Sequence, residues 1–375
     1  MSSRSTPLVP LFSAKAAAFG VDLVRVAGEV IASERYVLGP QVEAFEAAFG
    51  AYVGVKHVVS VANGTDALEL ALRALGIGSG DRVVTVANAG FYASTAIRPI
   101  GASPVYVDVD DSRLTMSPDA LEAALSSSVV QAVVVTHLYG QLADMATISK
   151  LCASAGVPLV EDCAQAHGAR SGGDQAGSWG ATACFSFYPT KNLGALGDGG
   201  AVVTDDDQFA QRLRGLRQYG WGRKYEVILA GGRNSRLDEL QAAVLAAKLP
   251  RLDAANAERR AIAKRYNKAF SGVPLKLPVS VGADYVAHLY VIRCEQRDAL
   301  RAHLAHRGIA SEIHYPVPDH HQQVVSDSPK VSLPVTEAVC RQALSLPCFP
   351  GLLDEQVDRV IGAVHEFHET SRCIG

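Results

Sequence analysis

Short runs of β-branched residues alternate with helical stretches between residues 57 and 204, and this alternation constrains the fold more than any other feature. The run 132–136 is typical, with three consecutive valines between Gln131 and His137. Strands buried on both faces carry such continuous apolar runs, and strands separated by helices are typical of parallel sheets. We therefore predict an α/β fold with a mostly parallel sheet covered by helices. The predicted strands are 57–61, 82–86, 104–109, 132–136, 158–162, 183–188 and 201–204, and the predicted helices are 66–75, 94–100, 117–126 and 144–155.

The rest of the chain predicts a smaller domain of mixed structure. Residues 236–270 have helical spacing that is interrupted at Pro250, which lacks the amide proton that a helix interior needs. Strand-like and helical stretches then follow in irregular order, which is typical of an α+β domain. We therefore predict a large domain over residues 13–250 and a small C-terminal domain over residues 251–375. The later stretches are strand-like at 288–293 and 310–315 and helical at 295–307, 336–343 and 354–369.

Polar groups follow two of the predicted strands. Asp162 ends the run 158–162, and Asn63-Gly64-Thr65-Asp66 follows the run 57–61 and opens a helix. Ligands of parallel sheets bind beyond the carboxyl ends of the strands. Backbone amides at the start of a helix bind phosphate. Gly64 and Thr65 are therefore candidate phosphate contacts and Ser186 is a further one, although each alone is more often a plain cap or strand residue.

Lys191 lies in the loop Tyr188-Pro189-Thr190-Lys191-Asn192-Leu193-Gly194, after the strand 183–188. A lone lysine in a loop is most often a solvated charge, but the aromatic and proline neighbours indicate a partly buried loop, where the pKa of a lysine falls. A lysine amine can form a Schiff base with pyridoxal phosphate (PLP). A carboxylate then keeps the pyridine nitrogen protonated, so that the ring takes up electrons. Lys191 and Asp162 therefore predict a PLP site, with Gln165 able to face the ring.

Aromatic and histidine side chains are candidate contacts to the ring and to a substrate. Phe91 and Tyr92 follow the strand 82–86, and an aromatic ring there either stacks on a planar cofactor or packs in the core. The sequence leaves open which of the two rings would stack. His314, Tyr315 and His320 lie in a proline-containing loop. Such a loop can bind a metal, but the prolines and the lack of a carboxylate cluster favour substrate contacts, and we predict no metal site.

Composition excludes several classes of protein. A formal net charge of −3 with scattered basic residues does not favour binding to nucleic acid or to an anionic membrane. No apolar window reaches the length of a membrane span, and residues 1–7 do not resemble a signal peptide. The seven cysteines include no Cys-X-X-Cys pair, which is typical of buried thiols in a reducing compartment. We therefore predict a cytoplasmic enzyme without a nucleic-acid or membrane partner.

Taken together, the motifs resemble the DegT-type sugar aminotransferases. The segments that carry the resemblance are, in the family's order, 63–68, 161–168, 185–194, 197–201, 234–243, 314–318 and 344–347. The resemblance implies the aspartate aminotransferase fold (PLP fold type I), with a large PLP-binding domain and a smaller one. It further implies a homodimer with active sites shared between the subunits. It also implies transfer of an amino group, usually from glutamate, to a keto sugar linked to a nucleoside diphosphate.

The resemblance also assigns roles to residues. Lys191 matches the Schiff-base lysine, Asp162 matches the partner of the pyridine nitrogen, and Gln165 matches a residue against the ring. The other cofactor contacts so implied are Gly64, Thr65, Phe91, Ser186 and, from the second subunit, Asn234. The candidate substrate contacts are Tyr188, Tyr225, His314, Tyr315 and His320.

The run 188–200 is most similar to members that aminate carbon 3 of a 3-keto-6-deoxyhexose, so we expect a dTDP-3-amino-3,6-dideoxyhexose as product. Members acting at carbon 4 more often have Thr-Thr-Gly-Glu-Gly after the lysine. A 4-keto sugar or cyclitol aminotransferase on the same fold is the alternative. A PLP-dependent sugar dehydratase is disfavoured because such relatives carry histidine in place of Lys191. A non-catalytic PLP-binding regulator is disfavoured by Lys191, Asp162 and the lack of a DNA-binding appendage.

Overall fold

A seven-stranded sheet covered by helices forms the centre of the computed structural model, which describes residues 9–18, 20–325 and 331–374. The strands are β1 (His57–Val61), β2 (Arg82–Val86), β3 (Ser103–Val107), β4 (Ala132–Thr136), β5 (Leu159–Asp162), β6 (Arg170–Ser171), β7 (Asp174–Gln175), β8 (Thr182–Ser186), β9 (Gly200–Thr204), β10 (Trp221–Arg223), β11 (Glu226–Val227), β12 (Tyr290–Arg293) and β13 (Ala343–Leu346). The helices are α1 (Ala14–Ala17), α2 (Leu23–Ser33), α3 (Pro40–Val53), α4 (Gly64–Ala74), α5 (Tyr92–Ile97), α6 (Pro118–Ser127), α7 (Met145–Ala155), α8 (Asp207–Leu216), α9 (Glu239–Lys248), α10 (Leu252–Ala269), α11 (Arg297–His306), α12 (Pro334–Gln342) and α13 (Asp354–Ile374).

The large sheet is mostly parallel, with the strand order β1-β9-β8-β5-β4-β2-β3. The pairs β2–β3, β2–β4, β4–β5 and β5–β8 are parallel, whereas β9 runs antiparallel to both β8 and β1. The predicted α/β class with a mostly parallel sheet is therefore confirmed. Because β2, β4, β5 and β8 point the same way, their carboxyl ends meet at one edge of the sheet.

The valine runs explain why the sheet is covered on both faces. All five residues of β4 are buried, and successive side chains of a strand point to opposite faces. Ala132 and Val134 pack in the cluster that contains the apolar face of α4. Val133 and Val135 pack in the cluster on the other face, which includes Leu121 of α6 and residues of α7. Burial of each such side chain contributes about 1.5–3 kcal/mol, so a helix is needed on each face.

The predicted helix over residues 236–270 is two helices. α9 ends at Lys248, a 3-10 turn covers Leu249–Arg251, and α10 begins at Leu252. The break falls at Pro250, as the missing amide proton predicts. The buried positions Ile262, Ala263 and Tyr266 of α10 pack in the C-terminal core, whereas Leu252 at its start packs in a core cluster of the large domain.

The strand predicted over residues 310–315 is wrong. In that segment Glu312 alone forms a bridge, exchanging backbone hydrogen bonds with Ser345. The partner of β12 is instead β13, which the sequence analysis missed. All four residues of β13 are buried, whereas Glu312, which bonds to Ser345 on the side away from β12, is exposed.

The C-terminal part has its own apolar core, formed by α10, β12, α11, β13 and α13. Tyr266 and Tyr290 are fully buried in it, and Val9 near the start of the described chain packs there too. This confirms the smaller α+β unit. The exact division at residue 250 stays a prediction.

Other sequence predictions concern thiols, the N-terminus and membranes. Six cysteines are free and buried, namely Cys152, Cys163, Cys184, Cys294, Cys340 and Cys348. The side chain of Cys373 and residues 1–7, which we predict not to be a signal peptide, lie outside the described residues. Among the helices that the structure describes, none is both long enough and apolar enough to cross a membrane.

Candidate active site

A cavity of about 730 Å³ lies at the edge of the sheet where β4, β5 and β8 end. Residues from the loops after these strands line it, together with the start of α4 and parts of the C-terminal unit. Most sequence-predicted site residues meet there. They are Gly64, Thr65, Asp162, Gln165, Ser186, Tyr188, Lys191, His314 and Tyr315.

Asp162 is the last residue of β5 and is only 6% exposed. One carboxylate oxygen accepts a hydrogen bond from the Thr136 hydroxyl at 3.3 Å, and the other accepts one from the Ala164 amide at 3.1 Å. Burial raises the pKa of this carboxyl group, while the Ala164 amide and the charge of Lys191 oppose the rise. A buried carboxylate held in this way favours a cationic or proton-donating partner in the cavity, such as the protonated nitrogen of a pyridine ring.

Lys191 lies on a tightly held loop that follows β8. Its amide donates to the Tyr188 carbonyl at 2.8 Å. The side chain of its neighbour Asn192 donates to Asn256 at 2.7 Å and accepts a hydrogen bond from His288. Burial lowers the pKa of Lys191 to about 8, and the charge of Asp162 opposes the shift. A substantial fraction of the amine is therefore neutral, and hence nucleophilic, near pH 7.5.

The start of α4 forms an anion cradle with Ser186. The Asn63 side chain caps the helix by accepting from the Asp66 amide at 2.8 Å. A Cβ atom at Gly64 would lie 2.7 Å from the Cβ of Ser186, and one at Gly200 would lie 2.4 Å from the carbonyl of Asn63. The two glycines thus allow strand β9, Ser186 and the helix start to meet closely. The free amides of the helix start, with the Thr65 and Ser186 hydroxyls beside them, match the requirements of a phosphate group.

A polar and aromatic wall faces this cradle. Gln165 accepts from the Tyr139 amide at 2.6 Å and donates to the Tyr315 hydroxyl at 3.2 Å, which fixes its amide orientation. The Tyr315 ring packs against Gly90, where a Cβ atom would lie 2.9 Å from the ring. It meets the Tyr92 ring edge to face, with centroids 5.8 Å apart.

The structure places Phe91 and Tyr92 differently, and the sequence left open which of the two rings would stack on the cofactor. Tyr92 lines the cavity, whereas Phe91 does not and instead has a backbone φ of 69° just before α5. The Phe91 amide donates to Asp319 at 2.9 Å, and this hydrogen bond fixes the backbone of the turn. Tyr92 is therefore the better candidate for a ring contact, which we put forward as a proposal.

The histidines of the downstream loop lie in different places. His314 lines the cavity, its Nδ1 atom is 2.8 Å from the Ser345 hydroxyl, and burial lowers its pKa. His320 lies outside the cavity lining, with its Nε2 atom 3.3 Å from Glu337. Of the two, only His314 is placed to contact a ligand in the cavity of its own subunit.

Sequence reasoning missed several cavity and support residues. Asp319 is 1% exposed, accepts hydrogen bonds from the Phe91 amide and the Ser94 hydroxyl, and has a pKa raised by burial to about 6. Arg259 and His288 line the cavity from α10 and from the segment before β12. Arg259 and His288 belong to no local motif, and the tertiary fold brings them to the site. Asp319 lies in the proline-containing loop beside His320, and only the tertiary fold shows that it is buried.

Asn234 and Tyr225 lie outside the cavity lining of their own subunit. Asn234 is exposed and precedes Ser235, whose hydroxyl donates to Asp66 at 2.6 Å. Tyr225 is 77% exposed in the turn between β10 and β11.

The cavity thus combines a reactive amine, a buried carboxylate, a phosphate cradle and an aromatic wall. These groups fit PLP. Its phosphate would bind at Gly64, Thr65 and Ser186. Its aldehyde would react at Lys191, and its ring nitrogen would face Asp162. The fold and the site together define a PLP-dependent enzyme of fold type I.

Comparison with known proteins identifies the family. The sequence model of the DegT/DnrJ/EryC1/StrS aminotransferase family matches residues 20–365, and the chain belongs to this family. A dTDP-3-amino-3,4,6-trideoxy-alpha-D-glucose transaminase from Streptomyces venezuelae is 46% identical, over 98% of this chain and 99% of the relative. A dTDP-3-amino-3,6-dideoxy-alpha-D-galactopyranose transaminase from Aneurinibacillus thermoaerophilus is 42% identical, over 92% of this chain and 95% of the relative.

A solved structure supports the same assignment. The crystal structure of S. venezuelae DesV in complex with a ketimine intermediate matches with a TM-score of 0.93 and 45% identity, over 97% of this chain and 99% of that one. The protein is therefore a PLP-dependent aminotransferase.

Proposed function

We propose that this enzyme transfers an amino group from glutamate to carbon 3 of a dTDP-linked 3-keto-6-deoxyhexose. The observation that carries the proposal is the 46% identity, over nearly the whole chain, to a transaminase named for a dTDP-3-amino sugar. The second relative is named for a dTDP-3-amino-3,6-dideoxyhexose, so both names place the amine at carbon 3. The product would be a dTDP-3-amino-3,6-dideoxyhexose.

The size and lining of the cavity support a substrate as large as a sugar. Its volume of about 730 Å³ lies in the upper range of small-molecule sites. Tyr188, His314 and Tyr315 line it and offer hydroxyl and imidazole groups to sugar hydroxyls. Tyr188 is 51% exposed, which suits a contact at the mouth of the cavity.

The residues of the chain would carry out the proton transfers. PLP, when bound, supplies the ring that takes up the electrons of the carbon–hydrogen bond that breaks. Lys191 Nζ would remove the proton from the donor carbon that bears nitrogen and would hold it for delivery to the cofactor carbon bonded to that nitrogen. With the keto sugar, Lys191 would move a proton in the reverse direction, to carbon 3 of the sugar. Its lowered pKa suits both roles near neutral pH. Asp162 would hold the positive charge of the ring nitrogen throughout.

We further propose that the enzyme is a homodimer in which Asn234 and Tyr225 serve the partner's cavity. The β10–β11 hairpin presents exposed apolar side chains at Tyr225, Val227 and Ile228, which are between 63% and 77% exposed. Such a patch is typical of an interaction surface. The position of Asn234 outside its own cavity is consistent with a role in a neighbouring one.

A cytoplasmic location is part of the same proposal. Six buried free thiols suit a reducing compartment, and a nucleotide-linked sugar is a substrate of the cytoplasm. Neither the buried thiols nor the use of a nucleotide-linked sugar depends on which hexose is bound.

A substrate panel tests the carbon at which the enzyme acts. Purified enzyme with glutamate would receive dTDP-3-keto-6-deoxyglucose or its 4-keto isomer, and NMR would locate the amine in each product. We expect kcat/KM to favour the 3-keto sugar at least about a hundredfold, since a displacement of about 1 Å at the reacting carbon can cost that much. Lys191→Ala enzyme serves as the control for amination without catalysis. Faster amination at carbon 4, or of a cyclitol, would overturn the substrate assignment.

A further inference from the structure

Asp319 is a buried carboxylate that joins two segments of the protein beside the cavity. It is 1% exposed and lies in the loop that follows Tyr315. Its backbone amide donates to the Ala87 carbonyl at 2.8 Å. One carboxylate oxygen accepts from the Phe91 amide at 2.9 Å, and the other accepts from the Ser94 hydroxyl at 2.7 Å. Three hydrogen bonds thus join one residue of the C-terminal part to the segment from the end of β2 to the start of α5.

The turn before α5 has a backbone shape that needs support. Gly90 and Phe91 both have left-handed backbone angles, with φ of 79° and 69°. This conformation is unfavourable for Phe91, because its Cβ atom crowds the backbone. Phe91 is also the residue at which α5 begins, and its side chain has no oxygen with which to cap the helix. The acceptor for the Phe91 amide comes instead from Asp319, 228 positions further along the chain.

The burial of this carboxylate indicates a role in geometry rather than in the stability of the fold. Among the described residues, the side-chain hydrogen bonds of Asp319 come from a backbone amide and a hydroxyl, not from a basic side chain. Burial of a charge that no opposite charge compensates costs stability, and an apolar side chain would fill the same space without that cost. What a carboxylate adds is two directional hydrogen bonds.

The turn that Asp319 holds leads into one aromatic side of the cavity. Tyr92 lines the cavity from the first turn of α5, and its ring meets the Tyr315 ring edge to face, with centroids 5.8 Å apart. The Tyr315 hydroxyl accepts from Gln165 at 3.2 Å. A Cβ atom at Gly90 would lie 2.9 Å from the Tyr315 ring, so the turn and this ring pack closely. Asp319 therefore joins the segment that carries Tyr92 to the loop that carries Tyr315.

We propose that Asp319 is a positioning residue for amino transfer, which holds the Tyr92 and Tyr315 rings at the spacing that the bound cofactor requires. Asp319 lies outside the cavity lining, so it acts through these two rings and does not touch the cofactor. The inference rests on the proposed contact of Tyr92 with the cofactor ring. A displacement of about 1 Å at a reacting group can cost a hundredfold in rate, so a small loosening of this wall has a measurable effect.

Two substitutions at Asp319 separate hydrogen-bond geometry from charge. Asp319→Asn keeps an oxygen for the Phe91 amide, and its NH2 group can donate to the Ser94 hydroxyl, whereas Asp319→Ala keeps neither contact. Asp319→Ala should weaken the circular dichroism of the PLP absorption band and raise the dissociation constant for PLP by about tenfold. Asp319→Asn should restore both to near wild-type values. Wild-type values in Asp319→Ala, or no recovery in Asp319→Asn, would overturn the proposal.

Asp108→Ala is the matched control for a loss of stability alone. The Asp108 carboxylate also accepts from amides of the C-terminal part, those of Val335 and Thr336 at 3.0 and 2.8 Å, but Asp108 lies outside the cavity lining and far from the Tyr92 turn in the hydrogen-bond network. Asp108→Ala should lower the Tm and leave the cofactor band and the PLP affinity unchanged. If both alanine variants weaken the cofactor signals equally for the same loss of Tm, Asp319 is only a structural residue.

A double-mutant cycle tests whether Asp319 acts through Tyr92. The rate of the half-reaction between holoenzyme and L-glutamate should fall about tenfold in Asp319→Ala, but less than about threefold when Asp319→Ala is added to Tyr92→Leu. Additive losses would refute action through the ring. A Tyr92→Leu enzyme with wild-type rate and PLP affinity would refute the ring contact and the inference together.

Two further outcomes are separable from these. A wild-type enzyme that does not react with glutamate would refute the proposed donor, and the cofactor band and PLP affinity would still decide the role of Asp319. If Asp319→Ala does not fold, Ser94→Ala removes one of the three hydrogen bonds and takes its place. It should shift the cofactor band and the PLP affinity in the same direction by a smaller amount, and wild-type values of both would contradict the proposal.

Discussion

Lys191 and Asp162 show how burial tunes two oppositely charged groups in one cavity. Burial lowers the pKa of Lys191 to about 8 and raises that of Asp162, because each charged form loses hydration. Each group partly offsets the shift of the other. Since the unfolded chain binds more protons than the native lysine between about pH 8 and the ordinary lysine pKa of 10.5, the cofactor-free enzyme should gain stability as pH rises through that window.

The lowered pKa predicts when Lys191 reacts. A pKa of about 8 leaves roughly a quarter of the amines neutral at pH 7.5, against about one in a thousand for an ordinary lysine. The rate at which cofactor-free enzyme captures PLP should therefore rise with pH and level off near pH 9. Stopped-flow absorbance between pH 6.5 and 10.5 measures it, with Nα-acetyl-lysine as the reference amine. A rate that still climbs tenfold per pH unit at pH 9.5 would contradict the shift.

Asp162→Asn preserves side-chain volume and removes the charge opposite the ring nitrogen. The fold should remain, because the Ala164 amide can still donate to the asparagine oxygen, and the Thr136 hydroxyl can rotate to accept from the asparagine NH2 group. We expect kcat for sugar amination to fall by at least about a hundredfold, or roughly 2.7 kcal/mol of transition-state stabilisation. Steady-state kinetics measure the loss, and circular dichroism monitors the fold. Near-normal turnover would mean that another group protonates the ring.

At the residue scale, the sequence predicted the site residues that belong to local motifs. Asp162 ends a strand, Gly64 begins a helix and Lys191 lies in the loop after a strand. Each belongs to a recognisable run, and the structure brings all three to one cavity. Arg259 could not be found in this way, because it is a single charged residue in an ordinary stretch of sequence. Asp319 lies beside His320 in the loop that the sequence singles out, but its significance comes from burial, which the sequence does not show.

At the element scale, the start of α4 makes the most specific prediction. Gly64→Ala would place a Cβ atom 2.7 Å from that of Ser186 and narrow the phosphate cradle. The dissociation constant for PLP should rise at least tenfold, which corresponds to about 1.4 kcal/mol. Equilibrium dialysis of the refilled apoenzyme measures it.

Gly28→Ala is the matched control for that experiment. Gly28 lies within α2, and a Cβ atom there would meet nothing within 4 Å. The change should leave PLP affinity unaltered and stabilise the helix by up to about 1 kcal/mol. Equal PLP affinities of the Gly64→Ala and wild-type enzymes would show that the phosphate does not bind at this helix start.

The elements themselves were predictable where the sequence pattern is local. The valine-rich strands and the break at Pro250 follow from periodicity and from the missing amide proton. The small sheet was not predictable, because β13 is a four-residue strand that pairs with β12 from about fifty residues away in sequence, and segment 310–315 contributes only a bridge from Glu312 to β13. Residues of β13 are buried in the C-terminal core, and that burial depends on contacts distant in sequence.

At the scale of the whole molecule, shared active sites predict complementation between inactive variants. In a mixed dimer of Lys191→Ala and Asn234→Ala subunits, one site would carry both lesions and the other neither. Mixing should therefore restore one intact site per mixed dimer. Activity is measured after subunit exchange, which native mass spectrometry verifies. Exchange without recovery would refute the idea that Asn234 acts in the neighbouring site.

The central claim is that Lys191 carries the cofactor of this aminotransferase. Borohydride reduction of the yellow holoenzyme fixes PLP covalently to the amine that holds it, and peptide mapping by mass spectrometry locates the label. The account predicts a single labelled peptide with the pyridoxyl group on Lys191, and no label in Lys191→Ala. A label on another lysine, such as Lys150 or Lys224, would contradict the assignment of the active site.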